Sequence, residues 1–303
     1  VAALACSVPL PPDFRPDDVL AFHARDTQQL AERVGPDRIA KGLVWNGHPA
    51  GLEIVFRPGH ADASLAIDGP HDSATGQLEA LVRHLLGLTQ PVDSFEAAYR
   101  QHPLLGPLIA RHPGLRVSQA ATPFEALTWA VTGQQISVHA ALALRRRLIS
   151  ATGIIHSNGL ACYPDALALV RLNEPALHAA GLSRSKAQTL LSLARLVAEG
   201  HLPLDAWRDG TPADEIRERL LAVRGIGPWT VNYTLLRGFA HLDGSLHGDA
   251  AVRRKLQALL GQTERITADE AATWLAPFSP WRALVAAHLW AAPWVGLQSD
   301  SAG

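Results

Sequence analysis

Two cysteines in 303 residues, Cys6 and Cys162, exclude an iron–sulfur cluster held by four thiolates and a four-cysteine zinc site. Lysine is nearly as scarce, with Lys41, Lys186 and Lys255 the only three. Charged residues are 18% of the chain and the formal net charge is −1, so the protein is not a broadly basic nucleic-acid binder. Any grip on a phosphate backbone must come from local groups such as Arg145-Arg146-Arg147, Arg184 with Lys186, or Arg253-Arg254-Lys255. No apolar run approaches twenty residues and no basic start precedes the first apolar stretch. Neither a membrane span nor a signal peptide is expected, and a cytoplasmic location is. Repeats and low-complexity segments are absent too. What is present is a 48% hydrophobic composition, enough for a packed globule of two domains.

The texture changes along the chain. Gly42–Trp45 and Leu52–Phe56 flank an Asn46-Gly47 turn and read as two short strands, with a third over Ser64–Ile67. Leu78, Leu81, Val82, Leu85 and Leu86 recur at helical spacing, predicting an amphipathic helix over Gln77–Leu88. These elements make an α+β lobe with an antiparallel sheet over residues 1–94. From residue 95 to 303 the signals are helical. Thr122-Pro123-Phe124-Glu125 has the form of a capping box with proline at the first helical position. Thr211 and Thr267 stand before two further helices, and Pro280 opens the last. Phe124, Leu127 and Val131 predict one buried stripe, and Ile136, Ala140, Leu144 and Leu148 another.

The densest run of signals is Leu220–Arg254. Gly225-Ile226-Gly227 is a tight glycine hairpin, and Pro228 then starts a helix whose first N–H groups form an anion site. No phosphate-loop lysine follows, so a nucleotide cradle is not expected; a nucleic-acid phosphate is. Trp229 and Tyr233, four apart, share one face of that helix. Asp249 follows 22 residues after Gly227, at the start of another helix. Taken alone, Asp249 reads as an ordinary N-cap, the tryptophans as core, and Gln134-Gln135 as a polar turn between helices.

This pattern resembles the helix-hairpin-helix DNA glycosylases, in particular the DNA-3-methyladenine glycosylase II (AlkA-like) branch. The hairpin and its later aspartate carry the resemblance, with three further segments in family order. These are TPFEALTWAVTGQQIS (122–137), GLSRSKAQTLLSLARLVAEG (181–200) and SPWRALVAAHLW (279–290). The likeness covers about residues 120–295 and is weaker before residue 95.

The resemblance implies an N-terminal lobe like half of a TATA-binding protein. Two helical subdomains would follow around a cleft, with the hairpin and Asp249 at its mouth. It implies a monofunctional glycosylase that hydrolyses the N-glycosidic bond of alkylated bases such as 3-methyladenine and 7-methylguanine, leaving an abasic site. Asp249 would be catalytic, stabilising positive charge on the sugar. Trp229, Tyr233 and Trp290 would form the base pocket, where aromatic faces attract an alkylated, cationic purine. Gly225, Ile226, Gly227, Gln134, Gln135 and Arg253 would contact DNA, Gln135 as the wedge that replaces the extruded base. Bacterial relatives tend to carry leucine at that position, so this chain departs from the pattern. Ala250 and Ala251 imply a roomier pocket.

Tryptophan at 229 replaces the lysine of bifunctional relatives, which opposes a lyase for oxidised bases. No cofactor is required. The resemblance allows a structural sodium or potassium ion on the carbonyls of Leu221, Val223 and Ile226. Damaged double-stranded DNA is the expected partner of a monomer. A non-catalytic hairpin protein that only binds DNA is the alternative, but it would need neither Asp249 nor the aromatic face.

Overall fold

In the stretch His60–Ile67, Ala61, Ala63, Leu65 and Ile67 are buried and alternate with half-buried neighbours, the period-two pattern of a sheet with one covered face. The computed structural model, which describes residues 2–72 and 74–292, makes this one of five antiparallel strands. In chain order these are β1 (Ala2–Pro9), β2 (Glu32–Val34), β3 (Arg38–Trp45), β4 (His48–Arg57) and β5 (His60–Ile67). Their spatial order is β1-β5-β4-β3-β2. Asn46 and Gly47 both have positive φ, 48° and 79°, and Trp45 pairs with His48. That is the two-residue turn whose twist suits a hairpin.

The strands are longer than the sequence suggests, and two are unexpected. In β1 the small residues of AALACSVP blur the alternation, and pairing with β5 along its whole length supplies the order. β2 has three residues and exists by pairing with β3. A helix at Pro16–His23, also unforeseen, connects them. The helix expected over Gln77–Leu88 runs from Thr75 to Leu85. It places Leu78, Leu81, Val82 and Leu85 in the core over the sheet.

After residue 95 the described chain is helical apart from isolated bridges, Leu43 with Tyr163 and Ile155 with Ala161. Thr122 caps the helix Pro123–Gly133 by accepting the Glu125 N–H at 3.0 Å. The reciprocal half of the box is missing, because the Glu125 carboxylate turns inward to Lys41 and the Ala121 N–H. Thr267 and Glu270 form their box in full. Thr211 does not cap, since Pro212 is the N-cap residue of Ala213–Leu221. Ile136 does not join the core stripe either. It precedes the helix Val138–Thr152 and is 38% exposed, while Ala141, Leu144, Leu148 and Ile149 are buried.

The chain forms two compact units. One comprises the residues up to Gln90 with Arg116–Ala240; the other comprises Pro91–Leu115 with the chain from His241 onward. The sheet lobe therefore shares its unit with most of the helices. The junction inside that unit is a buried ring of charge. Lys41 Nζ on β3 donates to Glu32 Oε1 on β2 and to Glu125 Oε1, each at 2.7 Å. Arg145 Nη2 reaches the same two oxygens at 3.2 Å. Burial alone would raise both carboxyls, yet the two cations hold them below their ordinary range, Glu32 well below it. Likewise burial would lower Lys41, and Glu125 and Glu32 hold it up. Arg145, 6% exposed, is thus a structural cation and not part of a surface cluster facing phosphate. Arg146 is also committed, to Asp26 at 2.8 Å.

The regular elements described in the second unit are all helices. Its core includes Phe95, Leu108, Leu256, Leu275, Leu284 and Val285. The rings of Phe95, Tyr99, Phe278 and His288 contact one another within it. Among the described residues, no helix is long and apolar enough to cross a membrane.

Candidate active site

The hairpin lies between the helices Ala213–Leu221 and Pro228–Phe239. Val223 N–H returns to the Leu220 carbonyl and Ile226 N–H to the Val223 carbonyl, both at 3.1 Å, closing the turn. Its glycines have different reasons. Gly225 has φ +90°, and a Cβ there would collide with Thr189 Oγ1 on the helix Arg184–Ala198. Gly227 has an extended backbone, φ −110°, and a Cβ on it would meet nothing within 4 Å. Among the described residues, no contact requires glycine there. Ile226 is buried in the helical core, so only its main chain can serve a ligand. Val223 is buried as well, and Leu221 is exposed.

Gln134 Nε2 donates to the Gly225 carbonyl at 3.0 Å and to Thr230 Oγ1 at 2.9 Å. It ties the turn after Pro123–Gly133 to the hairpin. Gln135 next to it has φ +58°, left-handed backbone that an L-residue adopts at a cost. Gln135, Ile136, Ser137 and Val138 are exposed in succession, Val138 by 60%. Two of the three lysines are committed to carbonyls. Lys186 Nζ donates to Thr132 O at 2.8 Å, and Lys255 Nζ, in the second unit, donates to Ala292 O.

Trp229 and Tyr233 do share a helix face: their rings stack with centroids 5.3 Å apart at 30°. A third aromatic, Trp129, was not anticipated. Its indole Nε1–H donates to the Tyr233 hydroxyl at 2.8 Å. Tryptophan in the middle of an apolar helix reads as core. Its sequence position carries no signal against that reading; only the structure shows that it borders the same small cavity as Phe22, Arg25 and Arg237.

In the second unit Asp249 is the N-cap residue of Ala250–Leu259. Its Oδ1 accepts the N–H groups of Ala251 and Val252, each at 2.9 Å. The same oxygen accepts the Trp290 indole N–H at 3.3 Å, so capping and pairing with the expected pocket aromatic coexist in one carboxylate. The approach to this pair is braced. Asp243 takes a two-pronged contact from Arg282, 2.8 and 2.9 Å, and the Ser279 hydroxyl at 2.8 Å. Burial would raise the Asp243 carboxyl, but the Arg282 and Ser279 hydrogen bonds hold it below the ordinary range. The Ser-Pro-Trp-Arg entry to Arg282–Ala291 thereby clamps the segment leading to Asp249 onto the helix that carries Trp290. Arg253 lies one turn into Ala250–Leu259, partly buried, its N–H bonded to the Asp249 carbonyl.

Residues 128–279, just over half of the chain, match the family model of the HhH-GPD superfamily base excision DNA repair proteins. The chain belongs to the HhH-GPD superfamily. Its residues 6–122 match the AlkA N-terminal domain, which makes it an AlkA-like member and accounts for the sheet lobe. Among relatives of this HhH-GPD chain is the DNA-3-methyladenine glycosylase of Bacillus subtilis, 28% identical over 70% of this chain and 72% of that one. Another is DNA-3-methyladenine glycosylase 2 of Escherichia coli, 31% identical over 61% of this chain and 63% of that one. A solved 3-methyladenine DNA glycosylase from Archaeoglobus fulgidus has the same fold, with a TM-score of 0.80 at 19% identity, covering 94% of this chain and 97% of the other.

Proposed function

We propose that this chain is a monofunctional DNA glycosylase of base excision repair that hydrolyses the N-glycosidic bond of alkylated bases in double-stranded DNA. The observation that carries the reading is Asp249, a carboxylate held by two backbone N–H groups and by the indole of Trp290. As the base departs, positive charge builds on the sugar, and a fixed carboxylate stabilises it. The electron pair of the bond leaves with the base. Water adds to the sugar carbon and its proton passes toward the carboxylate. Membership of a base excision repair superfamily and two relatives named as 3-methyladenine glycosylases support the same substrate class.

The remaining residues divide the work of holding DNA. Gly227, which no contact among the described residues requires to be glycine, leaves room for a phosphate against the N–H groups that open Pro228–Phe239. A sodium or potassium ion on the carbonyls of Leu221, Val223 and Ile226 suits hard oxygen ligands, and the Val223 carbonyl, accepting one N–H, retains a second lone pair. Gln135 is the wedge, with Ile136 beside it adding the apolar surface that glutamine lacks. Arg253 contributes charge beside Asp249. The stacked Trp229 and Tyr233 receive the base. All three lysines are engaged, Lys41 between carboxylates and the others on carbonyls. None stands beside the hairpin as a Schiff-base nucleophile.

A panel of duplex oligonucleotides carrying 3-methyladenine, 7-methylguanine, hypoxanthine or 8-oxoguanine tests this. Wild type should release alkylated bases and leave intact abasic sites, with no adduct trapped by borohydride. Asp249→Asn should lose excision by orders of magnitude while still binding an abasic-site analogue. Full activity in that variant removes Asp249 from the mechanism, and a trapped adduct removes the monofunctional assignment.

A further inference from the structure

The turn that presents Gln135 is strained and held from both sides. Gln135 is exposed with φ +58°, and an L-residue keeps that conformation only where its surroundings fix it. The break ends the helix Pro123–Gly133. The Ile136 N–H, which a continued helix would offer to Thr132, goes to the Gly133 carbonyl at 3.5 Å. Lys186 answers the Thr132 carbonyl instead, its Nζ donating at 2.8 Å from the helix Arg184–Ala198. Burial lowers the amine from its ordinary value, and a carbonyl at the negative end of a helix offsets that cost. Thr189, one turn after Lys186 on the same helix face, donates to the Arg224 carbonyl at 3.4 Å and leaves no room for a Cβ on Gly225. Gln134 closes the circuit through its bonds to the Gly225 carbonyl and Thr230. After the turn, Ser137 accepts the Ala140 N–H at 3.2 Å and starts the helix Val138–Thr152.

We propose that Lys186 is a positioning residue for base extrusion, pinning the strained turn so that Gln135 and the hairpin Gly225-Ile226-Gly227 move as one rigid unit. The inference rests on the reading of Gln135 as the wedge and of the hairpin as the phosphate grip. Extruding a paired base costs its pairing and stacking energy. A wedge offsets that cost best when its backbone is already ordered relative to the phosphates held by the same unit. A loose turn must lose conformational freedom at the same step. Lys186 therefore matters in proportion to how firmly the lesion is paired. Its amine is spent on Thr132, so it acts through the turn and not on the reacting atoms.

Single-turnover excision of 7-methylguanine from two duplexes tests this, one with cytosine opposite the lesion and one with an abasic spacer there. Lys186→Met keeps the aliphatic stem and removes the cation. It should slow the paired lesion about tenfold and leave the unpaired one within about twofold of wild type. Lys186→Gln, a milder change that keeps a neutral donor, should show the same selectivity with a smaller loss. Lys186→Arg, which keeps a cationic donor, should restore the paired-lesion rate. Equal losses on both duplexes, or no loss on the paired lesion in a folded variant, overturn the proposal. Adding Gln135→Ala to Lys186→Met should slow the paired lesion no further than the slower single variant, within about twofold, because both act on one turn. Multiplying losses overturn the proposal as well. Two other outcomes strike the readings beneath it and are told apart from these. A Gln135→Ala protein as fast as wild type removes the wedge, and a wild type that releases neither lesion removes the glycosylase; either takes this inference with it.

Discussion

At the residue scale, one side chain often serves two purposes, and the substitutions that separate them are informative. Asp249 caps a helix through the same oxygen that Trp290 touches. Loss of an N-cap costs about 0.5–2 kcal/mol, whereas loss of a catalytic carboxylate costs orders of magnitude in rate. Asp249→Asn can still cap, which is why it isolates the chemistry. Gly225 gives the complementary case. Alanine there must hold φ near +90° and also displace Thr189. Gly225→Ala should lower stability by about 1–3 kcal/mol and weaken duplex binding, because Gln134 anchors on the same carbonyl. Chemical denaturation and an equilibrium DNA titration check both effects. An unaltered midpoint would mean that Thr189 moves aside without cost. The hairpin glycines were legible as a pair from spacing alone, but only packing against Thr189 separates the one that the fold needs from the one left open.

At the scale of elements, the capping motif at Thr122 shows how tertiary demands override local ones. The sequence Thr-Pro-Phe-Glu has every feature of a reciprocal box, and the helix starts where that predicts. Glu125 nevertheless leaves the box to neutralise Lys41 and Arg145 across the joint between sheet and helices. The exchange ties β2 and β3 to the helices Pro123–Gly133 and Val138–Thr152. Removing one member strands a buried charge, which costs about 3–5 kcal/mol. Glu125→Ala should therefore destabilise the protein by that much, far beyond the loss of half a capping box. A calorimetric or denaturant series checks it, with Glu270→Ala as the control in a complete, exposed box expected to lose about 1 kcal/mol. Equal losses in the two variants would refute a structural role for the charge ring. The same ring explains why Arg145 could not be assigned from sequence. A run of three arginines looks like a phosphate contact until partners distant in the chain are known.

Across the whole molecule, buried histidines set the response to acid. Burial, with Arg208 nearby, lowers His84 to about 3. Burial, with His112 nearby, lowers His288 to about 4. An unfolded histidine binds its proton near pH 6.5, so between that value and the folded ones the unfolded chain holds more protons. Stability then falls as pH drops through this window, by up to about 1.4 kcal/mol per pH unit for each histidine. The penalty for His288 levels off below about pH 4. The melting temperature should decline steadily from pH 7 to pH 4, and His288→Phe, filling the same site among Phe95 and its neighbours, should flatten the decline. An equal slope in wild type and variant would exclude His288 as a source. His288 is 1% exposed and in sequence is one position among several in the apolar stripe of Arg282–Ala291.

What the sequence determined by itself is the set of features that depend on near neighbours. The Asn-Gly hairpin, the helical start at Pro228, the shared face of Trp229 and Tyr233, the aspartate opening its helix and the lysine missing at position 229 are all local in spacing, and each is present as spacing requires. Three-dimensional structure alone decided which polar side chains meet. It turned Glu125 inward and buried Arg145. It also set Trp129 on the Tyr233 hydroxyl. The reason is that backbone hydrogen bonds and helical periodicity act over a few residues. Burial, by contrast, obliges every charge to find a partner, and the nearest partner in space is often a hundred residues away in the chain.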